Sequence, residues 1–194
     1  MASKTTSLQV SNYNLDATLS SGQSFRWKKA GKTWEGIIGE KWIRLHSDNE
    51  YIIAESSCPQ DNWKWLEKYL QINFDLDQAI NSFPDDKPMQ NALHATPGLR
   101  LLRQDYWECL AAFILSATKQ IIQIQQMVDL LSKKYGKLIA SEGTLPTFSF
   151  PSIEAIANRT ETELRECKLG FRAPYLIAAA RDILNGKINW QVLP

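Results

Sequence analysis

Between Phe25 and Glu55 apolar and polar residues alternate, and after Pro59 the period lengthens to that of a helix. A chain with one such switch folds as a sheet followed by helices, because the two patterns bury their apolar residues in different ways. The period-two part divides into Phe25 to Lys28, Trp34 to Ile38, Lys41 to His46 and Tyr51 to Ala54. Turn residues join these segments at Ala30-Gly31-Lys32, Gly39-Glu40 and Ser47-Asp48-Asn49-Glu50, which predicts an antiparallel meander. Leu8 to Leu15 is expected to add a further strand.

The helical part begins near Asp61, with Trp63, Leu66, Tyr69 and Leu70 on one face. Asp75 caps a second short helix carrying Leu76, Ala79, Ile80 and Phe83; Pro84 to Pro88 breaks the pattern, and Met89 to Ala95 runs into a Thr96-Pro97-Gly98 turn. Asp105 and Glu108 form a capping-box signature. The run Tyr106 to Ala117 is apolar on nearly every face, as a buried central helix would be. The next helix carries the stripe Ile121, Ile124, Met127, Val128, Leu131 and Tyr135, with Gly136 suited to its C-terminal cap. Ser152 starts a short helix, Thr160 with Glu163 forms another capping box, and Gly170 closes that segment. Arg172 to Leu184 is the last helix, with Pro174 in its first turn and Gly186 after its end. The fold class is therefore α+β: an antiparallel β-meander with flanking helices over residues 1–104, then an all-helical segment over 105–194.

Composition excludes several classes. At 194 residues with 44% hydrophobic and 22% charged residues, the chain reads as an ordinary globular protein. It has no apolar run long enough to span a membrane, and a mostly polar Met1 to Val10 does not read as a signal peptide. Cys58, Cys109 and Cys167 lack any CxxC pair, which argues against a disulfide framework and a zinc site and for a reducing, intracellular compartment, nucleus or cytoplasm. His46 and His94 lie far apart in different elements, and neither reads as catalytic. The net charge of +1 gives no global basic field, and the clusters Arg26/Lys28/Lys29/Lys32 and Lys133/Lys134/Lys137 read as solvated faces. Seven Trp residues mean a large core, a stacking surface, or both. If Trp27, Trp34 and Trp42 are buried, the sheet has no aromatic face to offer a partner.

Three stretches stand out by order and spacing. They are Ser21-Gly22-Gln23-Ser24-Phe25-Arg26-Trp27, then Leu99-Arg100-Leu101-Leu102-Arg103-Gln104-Asp105 leading into Glu108-Cys109-Leu110, and finally Lys168-Leu169-Gly170-Phe171-Arg172-Ala173 with Ala180-Arg181-Asp182. Together they resemble the 8-oxoguanine DNA glycosylases of the helix-hairpin-helix superfamily, over about Leu15 to Leu184. The resemblance implies that duplex DNA containing 8-oxoguanine is the partner and that Gly22, Gln23, Ser24 and Phe25 wall the lesion pocket. The N7 of 8-oxoguanine carries a hydrogen where guanine has an acceptor, so the backbone carbonyl implied at Gly22 attracts the lesion and repels the normal base. To reach such a pocket the lesion must leave the stack.

The resemblance further implies that the loop Thr118-Lys119-Gln120 fills the space left by the flipped base, and that Gln123 and Arg172 stand where two cytosine-reading arginines belong. With one of them replaced by Gln123, preference for cytosine opposite the lesion should weaken. Phe171 matches an aromatic wedge; the alternative is a helix cap packing on Leu169.

In the family a lysine within an LPG-x-G-x-K type hairpin attacks the sugar, with an aspartate further on. The chemistry implied by the resemblance calls for no metal or organic cofactor. These 194 residues contain no such motif, so the 105–194 segment is expected to be an incomplete all-α helical domain, and the chain to be inactive alone although its parent is a glycosylase/AP lyase. Lys119 reads as a solvent- or phosphate-facing lysine rather than a substitute nucleophile. A non-catalytic damaged-DNA-binding paralogue and a protein-interaction module remain open, and an incomplete helical domain would leave apolar surface that favours self-association.

Overall fold

The computed structural model describes residues 2–142 and 146–188. One sheet is built from β1 (Ser3–Gln9), β2 (Lys28–Ala30), β3 (Thr33–Ile38), β4 (Lys41–Asp48) and β5 (Tyr51–Gln60), in the order β1-β5-β4-β3-β2. Its neighbours run antiparallel, as the alternating pattern requires. Ile43, Leu45, Ile52 and Ala54 are each at most 1% exposed. Between the first two, Arg44 donates to Glu35 Oε1 (2.9 Å) and Glu55 Oε2 (2.9 Å), and Glu55 is its register partner across the β4/β5 ladder.

The sheet departs from the sequence pattern at three places. Phe25 to Trp27 does not lie in a strand; pairing begins only at Lys28. The cause is Trp27, whose buried indole Nε1 donates to the Tyr69 hydroxyl (2.9 Å) and whose ring lies where a Cβ on Gly36 would come within 2.3 Å. Leu8 and Leu15 do not share a strand either. The chain turns through Asn12 (φ 47°), and Leu15 opens a helix, α1 (Leu15–Ser20), whose Asn14 cap accepts from the Ala17 N–H (2.9 Å). Finally, β5 runs past Pro59 to Gln60, because β1 lies alongside it and pairs Ser3 with Gln60.

The chain divides into two compact units, residues 1–36 with 43–103 and residues 37–42 with 104–194. In the first, α2 (Lys64–Leu70) buries Leu66, Tyr69 and Leu70, whereas α3 (Leu76–Asn81) and α4 (Lys87–Ala95) bury no residue. Asp75 caps α3 as expected, accepting from the Gln78 N–H (2.9 Å). In the same unit Asp16 accepts from Lys29 Nζ (2.8 Å) and Trp34 Nε1 (2.6 Å), and these two bonds hold its carboxyl below the usual carboxylate range. A depressed folded-state pKa contributes stability above the unfolded value, about 3.9, that is lost as pH falls through the folded one. The Asp16 side chain is 63% exposed and its ion pair screened. Asp16→Asn should therefore cost at most about 1 kcal/mol at pH 7, a cost that shrinks as pH falls through the depressed folded-state value, as read by urea midpoints along an acid series.

The second unit contains α5 (Tyr106–Ser116), α6 (Ile121–Tyr135), a short hairpin of β6 (Leu138–Ile139) and β7 (Thr147–Phe148), α7 (Ile153–Ala157), α8 (Glu161–Arg165), a 3-10 turn (Gly170–Arg172) and α9 (Ala173–Leu184). Its core includes Leu115, Met127, Leu131, Ile156, Leu164, Leu169 and Leu176. The Ser152 cap and the Thr160/Glu163 capping box form as expected. The fully buried central helix does not. Although α5 buries Trp107, Ala111, Ala112 and Leu115, its opposite face carries Tyr106, Cys109 and Phe113 into solvent, Phe113 being 76% exposed.

Gly136 ends α6, but with extended rather than left-handed backbone (φ −81°). Its need for glycine is one of space: a Cβ there would lie 2.0 Å from the Ser149 carbonyl oxygen. No helix among the described residues is long and apolar enough to cross a membrane.

Candidate functional site

Helix α1 delivers the chain into Ser21 and Gly22, and Gly22 takes a φ of 82° that an L side chain adopts only with strain. The next residue, Gln23, fastens this turn to a segment some eighty positions away. Its Nε2 donates to the carbonyls of Arg100 (2.9 Å) and Thr18 (3.0 Å), while its Oε1 accepts from the Leu102 N–H (2.7 Å). Thr18, fully buried, repeats the link: its hydroxyl donates to Asn14 O (2.7 Å) and accepts from the Arg100 N–H (3.1 Å). Thus the first two sequence stretches are one hydrogen-bonded assembly, in which the residue after Gly22 fastens the turn.

Arg100 sits beneath this assembly. The residue is 4% exposed, and its guanidinium donates to Gly98 O and Ser11 O (3.3 Å each) and lies 5.3 Å from the Tyr13 ring centroid. Tyr13 in turn donates to Leu70 O (2.8 Å), and burial pushes its phenol above the ordinary value. Ser24 and Phe25, by contrast, are half-buried, and Leu101 is 76% exposed. Arg100 and Leu102 fall within the second stretch but carry no role in the sequence reading, and Thr18 is not singled out there at all. For Arg100 and Leu102 the signal was present in the second stretch; for Thr18 there was none.

The second cluster lies in the helical unit. Between α5 and α6, Ala117, Thr118 and Gln120 are exposed and Lys119 half-buried, and Thr118 is left-handed (φ 56°). The Lys119 N–H closes the turn onto Ser116 O (3.0 Å). Gln123, exposed in the first turn of α6, accepts from the Gln120 N–H through Oε1 (3.2 Å). Arg172 reaches across from the start of α9. Its Nη2 donates to the Ala117 carbonyl and to Thr118 Oγ1 (3.0 Å), and its Nη1 to Leu169 O (3.3 Å). The side chain is buried, with no hydrogen-bond partner for Nε among the described residues, under the ring of Phe171 at 4.2 Å, and Phe171 itself is 53% exposed. Thr118, Phe171 and Arg172 are therefore brought together, with Arg172 turned inward.

Two features bear on what these units bind. A cavity of ≈ 440 Å³ in the helical unit is lined by the carboxylates Glu40, Asp105, Glu108 and Glu154, with Lys137 paired to Glu40 (2.7 Å). Such an excess of negative charge does not suit phosphate. Trp27, Trp34 and Trp42 are 2%, 7% and 4% exposed, so the sheet presents no aromatic docking face.

Comparison with known proteins agrees with this architecture. An N-glycosylase/DNA lyase of Saccharomyces cerevisiae is 33% identical over 186 residues, which cover 87% of this chain and 49% of that protein. The 8-oxoguanine glycosylase/lyase of Clostridium acetobutylicum in its apo form is similar at a TM-score of 0.89 and 27% identity, over 97% of this chain and 67% of that one. The structure of that enzyme with double-stranded DNA containing cytosine opposite 8-oxoguanine is similar at 0.86 and 28% identity, over 93% and 62%. The chain spans about half the length of the curated relatives it matches. Residues 6–110 match the family model described as the 8-oxoguanine DNA glycosylase N-terminal domain, and with more than half of its residues in that match the chain belongs to the 8-oxoguanine DNA glycosylase family.

Proposed function

We propose that this chain is the lesion-recognising part of an 8-oxoguanine DNA glycosylase/lyase, acting inside the cell in base-excision repair on duplex DNA. The observation that carries the reading is the Gly22 turn, at a φ of 82° that glycine takes without strain, fastened through Gln23 to residues 100–102. A carbonyl that distinguishes N7–H from a bare N7 must be held in place before the base arrives, since a mobile one would adapt to either. Backbone rigidity at Gly22 thus supports recognition of a flipped 8-oxoguanine, with Ser24 and Phe25 beside it. Gln23 acts one step back, by holding the turn.

The second cluster supports contact with the strand opposite. Thr118, Lys119, Gln120 and Phe171 lie at the surface of the helical unit, where Phe171 can wedge beside the vacated position. The protein-interaction module loses its basis with the burial of the three tryptophans. Excision is not assigned to these residues, because the sequence holds no LPG-x-G-x-K segment and Lys119 stands in a surface turn. Incubated with an 8-oxoguanine duplex and borohydride, the 194-residue chain should form no covalent DNA adduct and release no 8-oxoguanine detectable by mass spectrometry. Release of the base would overturn this division of labour, and a trapped adduct would make a lysine or other amine within the chain the nucleophile.

A further inference from the structure

We propose that Arg172 is a positioning residue for the loop between α5 and α6, holding Thr118 left-handed so that the loop meets the base opposite a lesion with simple donors and does not select among bases. This rests on the damaged-DNA reading given above and adds the specificity that follows from it.

Thr118 is β-branched and has a φ of 56°, a conformation such residues keep only when surrounding bonds impose it. Those bonds come from Arg172, which donates to Ala117 O and Thr118 Oγ1 on one side and Leu169 O on the other. At 3% exposure, with Phe171 stacked 4.2 Å from the guanidinium, the fork is directed into the protein and not toward a ligand. A guanidinium has donors only, so Thr118 Oγ1 must be the acceptor in that bond, and its own hydrogen is left to point away from Arg172. The same logic applies to Gln123: its Oε1 accepts from the Gln120 N–H, which leaves the amide N–H groups for an outside partner. The loop therefore presents a hydroxyl donor and the two N–H donors of an amide, and no forked guanidinium. Every base carries acceptors that such donors can meet, whereas a forked guanidinium placed on one base edge discriminates by roughly 5- to 150-fold.

The test combines two readouts on the 194-residue chain. Fluorescence anisotropy at low salt gives affinities for four duplexes with 8-oxoguanine opposite C, T, G or A. Hydrogen exchange by NMR reports the Lys119 amide, which is bonded to Ser116 O, in the free protein. The four affinities should agree within about threefold, and Arg172→Met should weaken all four together by about fivefold or more, because the competent loop becomes a minor state. In Arg172→Met the Lys119 amide should exchange at least about tenfold faster. On a Thr118→Gly background, where positive φ needs no support, the same change should be under about threefold. If Arg172→Met does not fold, Thr118→Val keeps Arg172 but removes the hydroxyl that accepts from it, and should also speed Lys119 exchange.

A wild-type preference for cytosine of tenfold or more, abolished by Arg172→Met, would mean that Arg172 leaves its seat to read the base and would overturn the proposal. Unchanged Lys119 exchange in a folded Arg172→Met or Thr118→Val variant would overturn the positioning role. Failure to bind any of the four duplexes, with the exchange effect intact, would leave the positioning role standing and count against the DNA reading and the specificity drawn from it.

Discussion

Replacing Gln23 by alanine should lower the stability of the sheet-containing unit by about 3 kcal/mol, among the larger effects expected of a single polar residue. The side chain does not pack a core; it joins two distant pieces of backbone. Its loss leaves the Leu102 N–H and the Arg100 carbonyl, both in part-buried surroundings, without the partners they have at 2.7 and 2.9 Å. Each net hydrogen bond is worth about 1 kcal/mol, and each orphaned group adds a desolvation cost of about 1 to 3 kcal/mol unless water enters. Urea unfolding should show a lower midpoint with an unchanged slope. Gln23→Glu tests the same bonds by polarity: it keeps the acceptor for Leu102 but sets a carboxylate against the carbonyls of Arg100 and Thr18, so it should be at least as damaging at neutral pH. A loss below about 0.5 kcal/mol for both variants would mean that the two stretches are held together by something other than Gln23.

Gly136→Ala should be still more severe, costing about 3 kcal/mol or more, or preventing folding of the helical unit. The added Cβ would sit 2.0 Å from Ser149 O and 2.6 Å from Ser132 O, both backbone atoms. Neither can retreat easily. The Ser149 N–H donates to Lys137 O (2.9 Å), the Lys137 N–H donates to Ser149 Oγ (3.1 Å), and Leu138 pairs with Phe148 one step further on. The Gly136 N–H is itself bonded to Ser132 O at 2.8 Å. Gly170 makes the contrast: its φ is 58° but nothing lies within 4 Å of a Cβ, so alanine there should cost only about 1 to 2 kcal/mol of backbone strain. Comparable losses at the two positions, by thermal or urea unfolding, would refute the steric account of Gly136.

Why some of this was legible in the sequence and some was not follows from range. The Asp75, Ser152 and Thr160 caps were readable because donor and acceptor lie three residues apart. The meander was readable because Trp34 to Ala54 alternates with turn residues at regular spacing. Phe25 to Trp27 misled because it also alternates, and only a tyrosine 42 residues on diverts Trp27 from the ladder. Leu8 to Leu15 misled because its apolar residues belong to two elements, β1 and α1, joined by a turn through Asn12 that no local pattern marks.

The candidate site divides the same way. The resemblance picked out Gly22, Gln23, Thr118 and Arg172 as residue types in a pattern, but the partners of Gln23 lie 77 and 79 residues away and that of Arg172 lies 54 away. No local rule connects them. Gly136 was noticed for the wrong reason, since a glycine after a helix ordinarily signals left-handed backbone and the crowding by Ser149 belongs to a two-stranded hairpin too short to leave a pattern. The open face of α5 was hidden too. Tyr106 to Ala117 is apolar all round, and composition alone cannot say which side a neighbour covers.

Affinity of the 194-residue chain for one duplex carrying 8-oxoguanine opposite cytosine, against the same duplex carrying guanine, tests the recognition claim most directly. Measured at about 50 mM salt, where phosphate contacts favour any weak complex, both complexes share every backbone contact and differ only at the lesion. On the proposed reading the Gly22 carbonyl gains a hydrogen bond with one base and meets an acceptor on the other, so the lesion duplex should bind roughly 5- to 150-fold tighter, the equivalent of about 1 to 3 kcal/mol. Equal affinities, or no binding of either duplex, would contradict the assignment of this chain as the part that reads the lesion.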